Sequence, residues 1–344
     1  MKSIHHEISL RLRTLDFNSI YPGFHQFPFA TYNDKKVCFG ESEIPWDNRF
    51  VGNTAIDYNG EIIAIWNMNC AIKDMDIFAS LLAHEMLHAY QRESKVTDYP
   101  DDLAGAFYPR DLHNFSLRFQ ENQLLASLEE KFEATAWVDF KAMRAYRFQH
   151  YLESVNYEIK TENIEGSAQF VELGALKQLS SGLYRKRLDR ILAGLRSPAK
   201  IFDARLLSYD TGCLIRIISK NNDFELPNWD REKAAAPDDL EAAAVPGLDA
   251  EFDRYFGEID KKLKDILARG EKLDISGENL LLWDPYNVRS SGDHLYHPHI
   301  VGVGTDKKNP ELLMGTYVTK MKGRTRAIEA IWRAAPEQKR NLGS

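Results

Sequence analysis

The chain has 344 residues, of which 44% are hydrophobic and 28% charged, with a formal net charge of −7. Those proportions sit near the globular average and exclude wholesale disorder or a fibrous repeat, while the length leaves room for about two domains. The acidic balance argues against a nucleic-acid partner, which calls for a basic stripe.

In chain order, the first seventy residues read as β-rich with loops, their aromatic and β-branched runs broken at Pro22-Gly23, Asn33-Asp34 and Asn59-Gly60. Residues 54–68 predict a hairpin turning at Asn59-Gly60, the strongest short hairpin signal. From Asp74 the apolar spacing lengthens to three and four (Ile77, Phe78, Leu81, Leu82, Met86). This predicts an amphipathic helix, capped by Asp74 or Asp76 and running to about Arg92. Residues 115–182 lack proline and keep helical spacing, enough for two or three long helices. Residues 187–222 continue in the same way with an interruption near Ser197-Pro198. The Ala-, Pro- and acid-rich stretch 232–247 reads as a linker, 248–270 as one more helix, 272–320 as a small β-module and 324–334 as a short helix. The expected organisation is therefore α+β. A main domain spans 1–231, followed by a linker at 232–247 and a helix plus β-rich C-terminal module over 248–344.

No run approaches ~18 uninterrupted apolar residues, so no membrane span is expected. The N-terminal MKSIHHEISLRLRTLDF lacks the apolar centre of a secretory signal, and a cytoplasmic globular protein is the expectation. Cys38, Cys70 and Cys213 are scattered without paired spacing. They give neither a disulfide framework nor a cysteine-based zinc site.

The segment His84-Glu85-Met86-Leu87-His88 carries the chemistry. On a helix, positions i and i+4 lie about 40° apart around the axis and one turn apart in height. Two imidazoles so placed can converge on one metal ion at about 2.0–2.1 Å. Glu85 lies on the flank of the same face, where it can serve a metal-activated water as general base and acid without being a ligand. At this composition chance supplies about 0.02 such pentapeptides in the chain. A structural zinc would want four protein ligands, often cysteines, and no cysteine pair follows. Gln91 and Ser94 stand where a metzincin would continue its H-E-x-x-H-x-x-G-x-x-H spacing, which excludes that branch.

Two glutamates compete for third ligand, Glu133 in EATAW and Glu165 in EGSAQFVE, each on a predicted helix and followed by small residues. Gly166, Ser167 and Ala168 allow the second segment the closer approach to the histidine helix. Glu158, Glu162 and Glu165 share one helical stripe, which would place second carboxylates behind the histidines. The pairing of HEMLHAYQ with the later EGSAQFVE resembles the gluzincin metallopeptidases, the branch of thermolysin and aminopeptidase N. More closely it resembles bacterial proteins carrying HExxHxxQ, a long helical insertion and EGxAxYxE. Phe170 stands where that pattern has tyrosine.

The resemblance implies a gluzincin-type catalytic domain holding one zinc ion through His84, His88 and Glu165. It also implies Glu85 as general base, a peptide or protein substrate, and an edge strand at 62–68 for that substrate to pair with. SYDTGCLIRII (208–218) looks like the Y-x-x-G helix of the same group, which nominates Tyr209 as a hydrogen-bond donor to the oxyanion.

The remaining features are weaker. His294, His297 and His299 form an H-x-x-H-x-H cluster that reads mainly as loop histidines. The basic run 184–200 reads as a solvated helix face, and Arg144 and Arg147 as ion-pair partners of the glutamate stripe. The rival functions are a catalytically silent metal-binding protein and a purely helical interaction scaffold.

Overall fold

The computed structural model describes residues 1–69, 72–234, 236–275, 277–306 and 309–335. Cys70, Ser276 and Ala235 of the expected linker lie outside them. The architecture is α+β. Two helices, α1 (Lys2–Leu12) and α2 (Phe17–Ile20), precede the first strand, so the N-terminal part is less β-rich than its aromatic runs suggest. His5, Ile8 and Leu12 are the buried face of α1, a three-and-four spacing diluted by the charged residues between them.

Five strands follow: β1 (Phe29–Tyr32), β2 (Lys36–Phe39), β3 (Ser42–Pro45), β4 (Thr54–Tyr58) and β5 (Glu61–Asn67). They pair in the order β3-β2-β1-β5-β4, with β1 and β5 parallel and the other neighbours antiparallel. The expected hairpin is β4–β5. Its turn places both Asn59 (φ 52°) and Gly60 (φ 90°) in the left-handed region, as a tight two-residue connection requires.

The strand expected at the edge is β5, and it is paired on both sides. The edge belongs to β4 instead. The run Ile63–Trp66 is buried at every position, the mark of an interior strand.

Helix α3 (Met75–Glu93) packs Phe78, Leu82, Ala83 and Met86 into the same core as Ala64 and Trp66 of the sheet. Its N-cap is Asp74, whose side chain accepts from the backbone N–H of Asp76 and Ile77. Then come α4 (Asp102–Ala106), α5 (Leu112–Glu130), α6 (Ala134–His150), α7 (Leu152–Thr161) and α8 (Ser167–Leu179). The last two are joined through a π turn at Glu162–Gly166. Ala168, Val171 and Ala175 of α8 enter the core that α3 lines. Helix α9 (Ser181–Leu195) and α10 (Ala204–Asn221) are separated at Ser197-Pro198 as expected.

After α11 (Trp229–Ala234), residues 236–247 carry no helix or strand, and α12 (Leu248–Arg269) begins. It packs Phe252 and Phe256 on Phe115 and Phe202 of the helical body. Its other end presents Ile259, Leu263 and Ile266 to Val318 of the C-terminal module.

That module holds β6 (Glu271–Leu273), β7 (Asn279–Trp283), β8 (Arg289–Ser291), β9 (His294–His297), β10 (Ile300–Gly304), β11 (Glu311–Met314), β12 (Tyr317–Met321) and β13 (Ile328–Arg333). They form two sheets, β11-β10-β7 and β6-β13-β12-β9-β8. The stretch expected as a short helix at 324–334 is thus largely strand β13. Its pairing with β12 and β6 overrides the helix propensity of its Arg, Glu and Ala residues. Among the described residues no helix is long and apolar enough to cross a membrane.

A close backbone approach between α10 and the π turn explains the glycine of Y-x-x-G. A Cβ on Gly212 of α10 would lie 2.7 Å from Cα and the carbonyl oxygen of Glu162, and one on Gly166 would lie 2.7 Å from Cα of Gly212. The small residues after Glu165 therefore serve two neighbours, with Gly166 against α10 and Ala168 on the α3 side. In a helix, alanine for glycine gains about 1 kcal/mol of propensity, but overpacking against backbone costs about 1–3 kcal/mol. Gly212→Ala is therefore expected to destabilise the fold in urea denaturation. Gly257→Ala in α12, where nothing lies within 4 Å, should stabilise it. Equal shifts for the two variants would refute the close-contact explanation.

Candidate metal centre

His84 and His88 project from one face of α3, and the π turn carries Glu165 to them. Glu165 Oε2 lies 3.7 Å from His84 Nε2 and 3.3 Å from His88 Nε2. The imidazole rings stand at 76° with centroids 5.0 Å apart. All three ligand atoms fall within 4.8 Å of one another. An ion bound tetrahedrally at about 2.0–2.1 Å needs donors roughly 3.3 Å apart, so small side-chain adjustments bring the set to that geometry. Among the described residues this is the one group of three or more His, Cys, Asp or Glu side chains placed to hold a metal ion.

The electrostatics favour a cation between these groups. Burial alone would lower His84, but Glu165 and Glu172 raise it to about 10. His88 is also raised, by Glu165 against the effect of burial. Burial would raise Glu165, yet the two histidines hold it well below the usual carboxylate range. Each shift reports stabilisation of positive charge at the same point.

Each ligand has a partner that fixes it. Gln91 Nε2 donates to the Ile164 carbonyl at 2.9 Å, leaving Gln91 Oε1 to accept from His88 Nδ1 at 2.9 Å. The proton on Nδ1 keeps Nε2 of His88 as the free donor lone pair. His84 Nδ1 faces Glu172 Oε2 at 3.6 Å, and Glu172 is in turn paired with Arg187. Arg205 donates to Glu165 Oε1 at 3.1 Å and also pairs with Asp102, which leaves Oε2 toward the histidines.

Glu85 is buried. Among the described residues its Oε2 has no hydrogen-bond partner, and burial raises its pKa. An acceptor so placed, beside the ligand cluster and used by no other described side chain, suits proton transfer.

Tyr209 reaches the site from α10. Its ring lies nearly parallel to His84 with centroids 6.2 Å apart, and its hydroxyl is 3.0 Å from that of Tyr286. Cavities open on both sides of the cluster. One of about 570 Å³ is lined by His84, Glu85, Tyr209 and Tyr286, and another of about 380 Å³ by Thr54, Ala55, His88 and Glu165. Edge strand β4 thus borders the second cavity.

Several expectations end elsewhere. Glu133 is exposed at the start of α6, paired with Lys131, and is not with the histidines. Glu158 and Glu162 do not stand behind the histidines either. Both are buried in an ionic layer with Arg118, Arg144 and Arg147, which bears out the ion-pair reading of Arg144 and Arg147. An i→i+5 turn shifts the helix phase by up to about one residue, ~100°, so Glu165 leaves the stripe it would share in an unbroken α-helix. His294 pairs with Asp293, His297 is buried against Thr319, and His299 is exposed. The three do not converge.

Gln91, Glu172, Arg205 and Tyr286 also contact the cluster or Tyr209, and the sequence reading assigns them no role. The first two had a signal, since Gln91 follows His88 by three and Glu172 follows Glu165 by seven, both helical same-face spacings. Comparison of the chain with protein-family models, curated proteins and solved structures finds no match.

Proposed function

We propose that this protein is a zinc-dependent peptidase with a gluzincin-type catalytic domain. The observation that carries the reading is the convergence of His84, His88 and Glu165 beside Glu85, whose buried Oε2 has no partner among the described residues. Three protein donors leave a coordination position open, the arrangement of catalytic rather than structural zinc. Bound zinc would polarise a substrate carbonyl and lower the pKa of water.

The chain's own residues do the rest. Glu85 takes a proton from the attacking water as its oxygen bonds to the carbonyl carbon, then delivers it to the leaving nitrogen as the C–N bond breaks. Tyr209 donates a hydrogen bond to the carbonyl oxygen as charge develops there. An extended peptide lies across the cluster from one cavity to the other, with β4 offering its edge on the His88 side.

The test is cleavage of a broad peptide library by wild type and Glu85→Gln at equal zinc content. Loss of the base is expected to lower the rate about 10²–10⁴-fold with zinc retained. Equal cleavage by the two would refute the mechanism, and no cleavage by either would favour a silent metal-binding protein.

A further inference from the structure

The C-terminal module lines the cavity beside the metal cluster through Tyr286, in the turn 284–288 between β7 and β8, and through Arg289, the first residue of β8. This turn is built and anchored. Asp284 Oδ1 accepts from the backbone N–H of Tyr286 at 3.0 Å, and Asp284 Oδ2 accepts from Asn287 Nδ2 at 2.8 Å. Arg289 donates to the Tyr255 hydroxyl of α12 at 2.6 Å and faces Asp203 at 3.4 Å. Asp203 is the N-cap of α10, the helix that carries Arg205 and Tyr209. The turn is therefore clamped to the start of the helix that supplies the candidate oxyanion donor.

From this turn Tyr286 enters the cavity lined by His84 and Glu85. Its hydroxyl sits 3.0 Å from that of Tyr209, and either oxygen can be the donor. The Arg205 guanidinium lies 5.3 Å from the Tyr286 ring centroid and 6.0 Å from that of Tyr209. Two hydroxyls at this distance share one hydrogen bond. When Tyr286 donates, the Tyr209 proton is free to point away from the pair, toward the metal cluster. When Tyr209 donates, it is not.

Resting on the peptidase reading, we propose that Tyr286 is a positioning residue. It donates to Tyr209 when a peptide is bound and so aims the Tyr209 hydroxyl at the substrate carbonyl oxygen. The C-terminal module then completes the catalytic cleft instead of being an appendage to it. A donor hydroxyl that itself accepts a hydrogen bond is polarised and strengthened, which helps most where charge develops on the substrate oxygen.

The test is a double-substitution cycle on the full chain with Tyr209→Phe, Tyr286→Phe and both together, after zinc content has been measured for each. Zinc content should be the same in all four proteins. Tyr286→Phe is expected to lower kcat about 3- to 10-fold, the range of one net hydrogen bond, with KM little changed. The double variant should be no slower than Tyr209→Phe alone. Additive losses would overturn the proposal, since Tyr286 would then act by its own contact.

A second readout does not need turnover. The zinc-loaded proteins are titrated calorimetrically with a peptidyl phosphonate, a tetrahedral mimic, and affinity should fall in Tyr286→Phe only while Tyr209 is present. Unchanged phosphonate affinity in Tyr286→Phe overturns the proposal. If wild type still cleaves peptides in that case, the peptidase reading survives it. A wild type that cleaves peptides but binds no phosphonate also overturns it. A wild type that neither cleaves nor binds overturns both.

Discussion

Glu165→Ala is expected to lower zinc affinity by more than about 100-fold, and Glu133→Ala to leave it unchanged. Losing a residue that only orients a ligand already costs about 10–100-fold, and Glu165 Oε2 is itself one of the three converging donors, 3.3 Å from His88 Nε2. Its other oxygen is held by Arg205, so the carboxylate has one free donor atom and its orientation is fixed. Glutamine would keep the shape but lose the charge, so Glu165→Gln should fall between wild type and alanine. Glu133 is the control because it is exposed and its partner is a surface lysine. The measurement is competition for zinc against a chromophoric chelator. Unchanged helix content in the metal-free variants, by circular dichroism, guards against a folding defect. Full zinc retention in Glu165→Ala would remove this residue from the ligand set.

What the sequence disclosed follows the range of the interactions involved. His84, Glu85 and His88 sit within about one helical turn, so their geometry is local and readable from spacing. The helix cap and the Asn59-Gly60 turn are local in the same sense; the turn appears as expected, and of the two cap candidates Asp74 is the one used. Glu165 lies 77 positions beyond His88, and its nomination needed small flanking residues and a resemblance.

The failures are those of longer range. The glutamate stripe assumed 3.6 residues per turn throughout, and no side-chain pattern announces the π turn at Glu162–Gly166. Assigning β5 to the edge required knowing that β1 pairs along its other side, a contact between residues more than thirty positions apart. Tyr286 carries no spacing signal at all, because it meets Tyr209 only through the packing of the C-terminal module.

The ionic layer behind the site sets the second large effect: Arg147→Met should destabilise the protein by about 3–5 kcal/mol, the cost of breaking a buried pair from one side. Arg147 is wholly buried. It donates to Glu121 at 2.7 Å, to both oxygens of Glu158 at 2.7 and 3.1 Å, and through Nε to Asn114 at 2.9 Å. Arg144 bridges Glu121 and Glu162, and Arg118 lies 3.5 Å from Glu158. Three guanidiniums thus face three carboxylates with no net charge left over, and removing one leaves a buried anion unbalanced.

Burial by itself would raise Glu158, but Arg118 and Arg147 outweigh it and hold the carboxyl at about 2. A lowered folded-state pKa contributes stability that is complete above the unfolded value near 4.5 and is lost as pH falls toward 2. Wild type should therefore lose stability over that window, and Arg147→Met should lose less of it there. The control is Arg196→Ala, which removes a solvent-exposed pair with Glu130 and should change stability far less.

Urea denaturation at pH 7 and across the acid range measures both claims. A loss in Arg147→Met no larger than in Arg196→Ala would show that the layer relaxes or admits water. Because Glu158 and Glu162 lie on the helix and π turn that lead to Glu165, the same substitution should also weaken zinc binding, although Arg147 touches none of the three ligands.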